Sequence, residues 1–130
     1  MKHHEIYEAA VRLVCEDPES VNTDDYYDRA PYILATFLSD CAAQDQRYRK
    51  AHGMEAAAVP TVAYADLTEE FAFCDALVLP ATYYLAAMLV ADENEALCER
   101  FFALYTDSIA RLQAELPLTS EQIADRYNLM

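Results

Sequence analysis

The sequence predicts an all-α fold, a single-domain bundle of four to five helices around a buried central helix, spanning residues 1–130. Three observations predict it. Gly53 is the only glycine in 130 residues, too few for the turns of a β-sandwich or a doubly wound sheet. Apolar residues make up 55% of the chain, enough surface to bury against chain entropy and to exclude disorder. Those residues recur at helical rather than alternating spacing over most of the length. One domain accounts for a chain of this size.

Helix one is expected over 3–16, where Ile6, Ala10, Leu13 and Val14 form an apolar stripe and Pro18 stops the run. Thr23 or Asp24 caps a second helical segment. Pro31 interrupts that segment or sits in the first turn of its main part. Beyond it Ile33, Leu34, Phe37, Leu38, Cys41 and Asp45 hold one face to about Ala51, and Gly53 supplies the C-terminal stop. Residues 53–66 lose the period. Val59, Val62 and Tyr64 suit a short extended piece, so this part is expected as a loop or short hairpin arm, and "DLTEEF" (66–71) as a brief helical turn.

The central helix is expected over 74–91. From Ala76 to Ala91 no residue is charged, and Pro80 either bends the helix within 76–82 or marks a late start. Asp92 or Asn94 caps the next helix, whose stripe runs through Leu97, Phe101, Leu104, Tyr105, Ile109, Leu112 and Leu116 to Pro117. Thr119 and Gln122 then read as a capping box, opening a C-terminal short helix and tail over 119–130.

Twenty-three acidic residues face nine basic ones, a net charge of −14. Such a surface repels phosphate and anionic lipid, which excludes ordinary nucleic-acid or membrane-surface binding. The uncharged stretch is not read as a membrane span: Pro80, Thr82 and the Tyr83–Tyr84 pair are poor company for lipid, and basic flanks are missing. Glu5, Glu8 and Arg12 interrupt the first residues before an apolar core of a signal peptide forms. Cys15, Cys41, Cys74 and Cys98 make no C-x-x-C pair. All four are expected as buried, reduced thiols in a reducing compartment.

No catalytic template fits. One glycine cannot build a phosphate loop. "HEIYE" has Glu8 where the second ligand of H-E-x-x-H belongs, and no E-x-x-H occurs among His3, His4 and His52. The pairs Glu5/Glu8 and Asp25/Asp28 share a helical face at i, i+3, as in magnesium-dependent all-α nucleotide pyrophosphohydrolases, whose hard ion takes oxygen ligands. Twenty-three acids generate that spacing by coincidence, so a solvated face is the preferred reading. No enzyme, cofactor or metal site is expected. Arg47, Arg49 and Lys50 form the sole basic cluster. They complement a helix C-terminus, or offer a docking patch for an acidic face of a neighbouring subunit.

Residues 67–116 resemble the small helical head–tail connector (adaptor) proteins of tailed phages and prophages. The resemblance is carried by Leu79-Pro80 and Leu85-Ala86-Ala87 in an apolar helix, by the acidic turn Asp92-Glu93-Asn94, and by the step from Phe101 to Tyr105. The stretch "YYDRAPYIL" at 26–34 is similar to the opening helices of that group. The resemblance implies a structural protein forming a homo-oligomeric ring below the portal, in contact with portal and tail-completion proteins, through which DNA passes without being held. It implies assembly in the bacterial cytoplasm and a final place in the virion neck. An acidic wall suits such a passage. The 53–66 arm and the C-terminal residues Ile123, Tyr127, Leu129 and Met130, with Arg47, Arg49 and Lys50, are the expected interface. An acidic inhibitor that mimics DNA is a further alternative, at odds with the large apolar content.

Overall fold

The computed structural model describes residues 1–57 and 62–115. Five helices occur there: α1 (His3–Leu13), α2 (Asp24–Asp40), α3 (Ala42–Ala51), α4 (Val78–Leu89) and α5 (Glu95–Ala114). Single 3₁₀ turns at Val21–Thr23 and Asp75–Leu77 lead into α2 and α4. The described residues contain no strand beyond an isolated antiparallel bridge between Lys2 and Glu70. The all-α expectation is met.

The organising element is α4. Its helix is apolar nearly all round, and Ala81, Leu85, Ala86, Ala87 and Leu89 are completely buried. It packs against α5, α1 and α2. Ile6, Tyr7, Ala10 and Val11 meet it from α1, and Leu34 and Phe37 from α2. Each large side chain closed off in this way contributes about 1.5–3 kcal/mol. Phe37 is the hub of an aromatic cluster, within 6.4 Å of the ring centres of Phe71, Phe73, Tyr84 and Tyr105. No described helix is long and apolar enough to cross a membrane. The 12 residues of α4 span about 18 Å at 1.5 Å each, short of a bilayer core of about 30 Å.

Several boundaries differ from expectation. Helix α1 stops at Leu13, well before Pro18, because Cys15 takes a positive φ of 64°. The amides of Cys15 and Glu16 then return to the carbonyls of Arg12 and Val11, a Schellman ending with cysteine at the usual glycine position. The inner stripe of α1 is Ile6, Tyr7, Ala10, Val11 and Val14, and Leu13 is exposed. Helix α2 continues through Pro31, against the expected interruption. Its first turns are anchored on either side: Tyr26 Oη donates to Glu93 Oε2 at 2.5 Å, and Arg29 Nη2 to the Leu89 carbonyl at 2.9 Å. Tertiary contacts override the helix-breaking ring. The break falls instead at Cys41, between α2 and α3. Gly53, φ 65°, ends α3 as expected, with Met54 N donating to the Arg49 carbonyl.

The uncharged run is not one helix with a kink. A 3₁₀ turn at Asp75–Leu77 precedes an α-helix that begins at Val78, so Pro80 lies in its first turn. Its missing amide is one the helix could not have paired there. The late-start alternative is the correct one. Nor is α4 enclosed on all sides, since Leu79 is 53% exposed.

Asn94, not Asp92, caps α5: its Oδ1 accepts from Leu97 N at 3.0 Å. Helix α5 ends at Ala114. Residues 54–57 and 62–66 form no hairpin, and 66–71 make a turn rather than a helical one. Asp66 Oδ1 accepts from both the amide and the hydroxyl of Thr68. The expected piece around Val59 and the C-terminal segment 119–130 lie outside the described residues.

Candidate functional site: an interaction surface

Two seams flank α4. Along the first, Arg29, Tyr32, Ile33 and Thr36 of α2 face Tyr84 and Met88 of α4 across an open depression of about 480 Å³. It adjoins a second depression of about 400 Å³, lined by Tyr27, Asp28, Pro31, Tyr32, Tyr64, Asp66 and Leu67. Tyr32 belongs to both and is 58% exposed, and Tyr27 and Tyr64 are about half exposed. The rings are ordered by one another: Tyr32 meets Tyr64 edge-on at 5.1 Å, and Tyr27 meets buried Tyr7 at 5.7 Å. The loop is stitched to α2, since Ala65 N donates to the Pro31 carbonyl at 3.0 Å. That fastens Tyr64, so this end of the expected arm is not free of the bundle.

Rigid amphipathic tyrosines with Met88 and Arg29, edged by carboxylates, are residue types that suit protein–protein contacts. Arg29 is held in place. Its Nε donates to Asp25 Oδ2 at 2.8 Å and its Nη2 to the carbonyl of Leu89, the last residue of α4. Asp66 is kept below the usual carboxylate range by the hydrogen bonds from the Thr68 amide and hydroxyl. It therefore remains an anion on this rim.

On the other side, Tyr48 of α3, Leu79, Pro80 and Tyr83 of α4, Leu104 and Leu112 of α5, and Glu115 just past its end border a groove of about 320 Å³. The apolar stripe expected on α5 is incompletely covered there. Phe101 and Leu112 are buried, Leu97, Tyr105 and Ile109 are half-buried, and Leu104 is 37% exposed.

The predicted site residues fare differently. Arg49 is an internal strut: its Nε donates to Asp45 Oδ2 at 3.0 Å and its Nη2 to the Ala72 carbonyl at 3.0 Å. Asp45 is fully buried, and its other oxygen accepts from Cys74 N at 2.8 Å. The pair fixes α3 against the strap that leads into α4. Arg47 and Lys50 stay at the surface. Ile123, Tyr127, Leu129 and Met130 lie outside the described residues.

His3 is not frayed but buried, with Nδ1 donating to the Asp66 carbonyl at 2.8 Å. His52 stacks on Tyr48 at 4.0 Å at the end of α3. Two thiols differ from expectation: Cys15 is exposed and Cys98 partly so, while Cys41 and Cys74 are buried. Burial, then the neighbouring Asp45, pushes the Cys74 thiol up to about 11.

The carboxylate pairs gather no site. Glu8 pairs with His4 and Asp25 with Arg29, both within one helix. Among the described residues no group of His, Cys, Asp or Glu is arranged to hold a metal ion. Sequence reasoning missed the tyrosine surface. Its one signal was the density of tyrosine in "YYDRAPY", because Tyr64 reaches it only through the fold. Compared with family models, curated proteins and solved structures, the chain matches none.

Proposed function

We propose that the chain is a structural subunit of a phage or prophage head–tail connector, assembling with its own copies into a ring below the portal through which DNA passes. The tyrosine surface carries this reading. Tyr27, Tyr32 and Tyr64 stand half or more exposed beside Arg29 and Met88, anchors suited to a neighbouring protein rather than to a small substrate. A ring needs a heterologous contact, in which one patch meets a different patch on the next copy. Arg47 and Lys50 on α3 supply the complement for the acidic rim formed by Asp25, Asp28 and Asp66. The net charge of −14 keeps a passing polyphosphate from adhering.

The test is assembly. Tyr32→Glu places a charge at the centre of the surface without touching the core. The unaltered chain should form multiples of its 14.7 kDa mass by light scattering, and bind a portal ring. The variant should stay monomeric with an unchanged helical circular dichroism spectrum. If the variant assembles as well as the unaltered chain, this surface is not the contact.

A further inference from the structure

We propose that the depression between α2 and the loop at 64–67 is a binding site for an alkylammonium cation. Its walls are aromatic. Tyr32 and Tyr64 both line it with their ring planes at 76°, so they make a corner rather than a stack. Tyr27, propped edge-on against the buried Tyr7, adds a third wall. The face of a tyrosine ring carries the negative lobe of its quadrupole and attracts cations. Pro31 and Leu67 line the same depression from buried positions and give it an apolar floor, on which an alkyl stem can lie. The volume of about 400 Å³ falls within the range of small-ligand sites, roughly 300–1,000 Å³.

The charge is matched to such a guest. Asp28 of α2 and Asp66 of the loop line the depression, and neither forms an ion pair among the described residues. Arg29, next to Asp28 in the chain, is engaged elsewhere. It bonds Asp25 and the Leu89 carbonyl, and its guanidinium carbon stands 5.8 Å from the centre of the Tyr26 ring. Among the described residues no group of three or more potential ligands could hold a metal ion, so the two carboxylates suit an organic cation.

The carboxylates also favour an ammonium over a guanidinium. Asp66 Oδ1 already accepts from the amide and the hydroxyl of Thr68, which takes up one half of the fork that a guanidinium grips. A compact ammonium with three rotatable donors needs only single oxygens, one on each side. The net charge of −14 gathers any cation around the chain. The rings and the apolar floor select one with an alkyl stem. The site shares its tyrosines with the assembly surface but does not rest on the connector reading, because a small amine needs no second copy to bind.

Titration with n-butylammonium chloride tests it. The full chain, with ¹³C-labelled tyrosine rings, is diluted until light scattering gives the 14.7 kDa monomer. Saturable shifts at Tyr27, Tyr32 and Tyr64 are expected, with half-saturation on the order of millimolar. Tyr48 and Tyr83, in the other groove, should not move. Neither n-butanol nor sodium chloride at equal ionic strength should reproduce the shifts. Tyr32→Leu should raise the half-saturation point about two- to fivefold. Tyr64→Leu repeats that measurement should the first variant fail to fold, and Asp28→Asn should weaken binding by a similar factor. Shifts that never saturate, that butanol or sodium chloride reproduces, or that survive these substitutions unchanged would overturn the proposal. Lys50→Gln separates the two sources of such a group. Loss of assembly with amine binding intact assigns the natural guest to the lysine of a second copy, and unchanged assembly assigns it to a free amine. A chain that binds the amine and never assembles counts against the connector reading alone. One that assembles through Tyr32 and gives no saturable shift counts against the cation site alone.

Discussion

Helices α1 and α3 end on the same left-handed turn with different residues, Cys15 at φ 64° and Gly53 at φ 65°. A side chain at that φ strains the backbone by about 1 kcal/mol, which glycine avoids. Cys15→Gly should therefore raise stability by about 1 kcal/mol in denaturant unfolding. It should also remove the thiol that reacts first with Ellman's reagent, since Cys98 is only partly exposed and Cys41 and Cys74 are buried. Gly53→Ala should cost about 1 kcal/mol through the backbone alone, because a Cβ there meets nothing within 4 Å. The glycine ending was legible in the sequence. The cysteine ending was not, because cysteine carries no turn preference and its apolar neighbours suggest a continuing helix. Asp45 makes a related case. Its place on the inner face followed from the helical period, but its partner Cys74 lies 29 residues away and no local pattern points there. Asp45→Ala should cost about 3 kcal/mol or more, since it strands a largely buried guanidinium and an amide, read as a fall in the unfolding midpoint.

Among the elements, the caps and the strap test the fold most directly. Asn94→Ala removes the side-chain acceptor for Leu97 N and should destabilise by about 1 kcal/mol. The strap 65–73 is held to α1 by backbone bonds from His3 and His4 to the carbonyls of Glu69 and Leu67, and its turn by the Asp66 carboxylate. The Asp66 pKa is lowered in the folded state from 3.8. Its contribution to stability is thus complete above the unfolded value and lost as pH falls through the folded one. Asp66→Asn should lower stability in the neutral range and flatten the acid limb, the difference between the two proteins closing as pH falls below 3.8, which urea titrations across pH can check. Four of the described helices were readable from periodicity, but α2 and α3 read as one run to Ala51 and the helical turn expected at 66–71 is not there. The two prolines were harder, because proline reports only that an amide is missing. Pro80 sits where the amide is dispensable, whereas Pro31 is tolerated inside α2 through the anchoring of Tyr26 and Arg29. That anchoring is a tertiary fact invisible in the local sequence.

At the scale of the whole molecule, an uncharged helix dominates a strongly acidic chain, and the fold reconciles them. Helix α4 collects α1, α2 and α5, and apart from the buried Asp45–Arg49 pair the charge lies outside. The central position of this helix could be inferred from its lack of charge, but the two seams beside it could not. Both depend on which face each neighbour leaves uncovered. The tyrosine surface joins α2 to a loop more than thirty residues on, and the groove joins three helices. Repulsion between copies of net charge −14 outweighs the exposed ion pairs of the contact, worth about 0–1 kcal/mol each, so self-association should strengthen as salt screens it. Light scattering at rising ionic strength should then show a growing oligomer fraction.

We propose that the chain works by assembling through the face around Tyr32. Mass measurement of the native full-length protein over a wide concentration range, beside Tyr32→Glu, tests this most directly. A closed oligomer of defined copy number is expected for the unaltered chain and a folded 14.7 kDa monomer for the variant. A 14.7 kDa monomer for both at every concentration and salt, or an oligomer indifferent to the substitution, would contradict it.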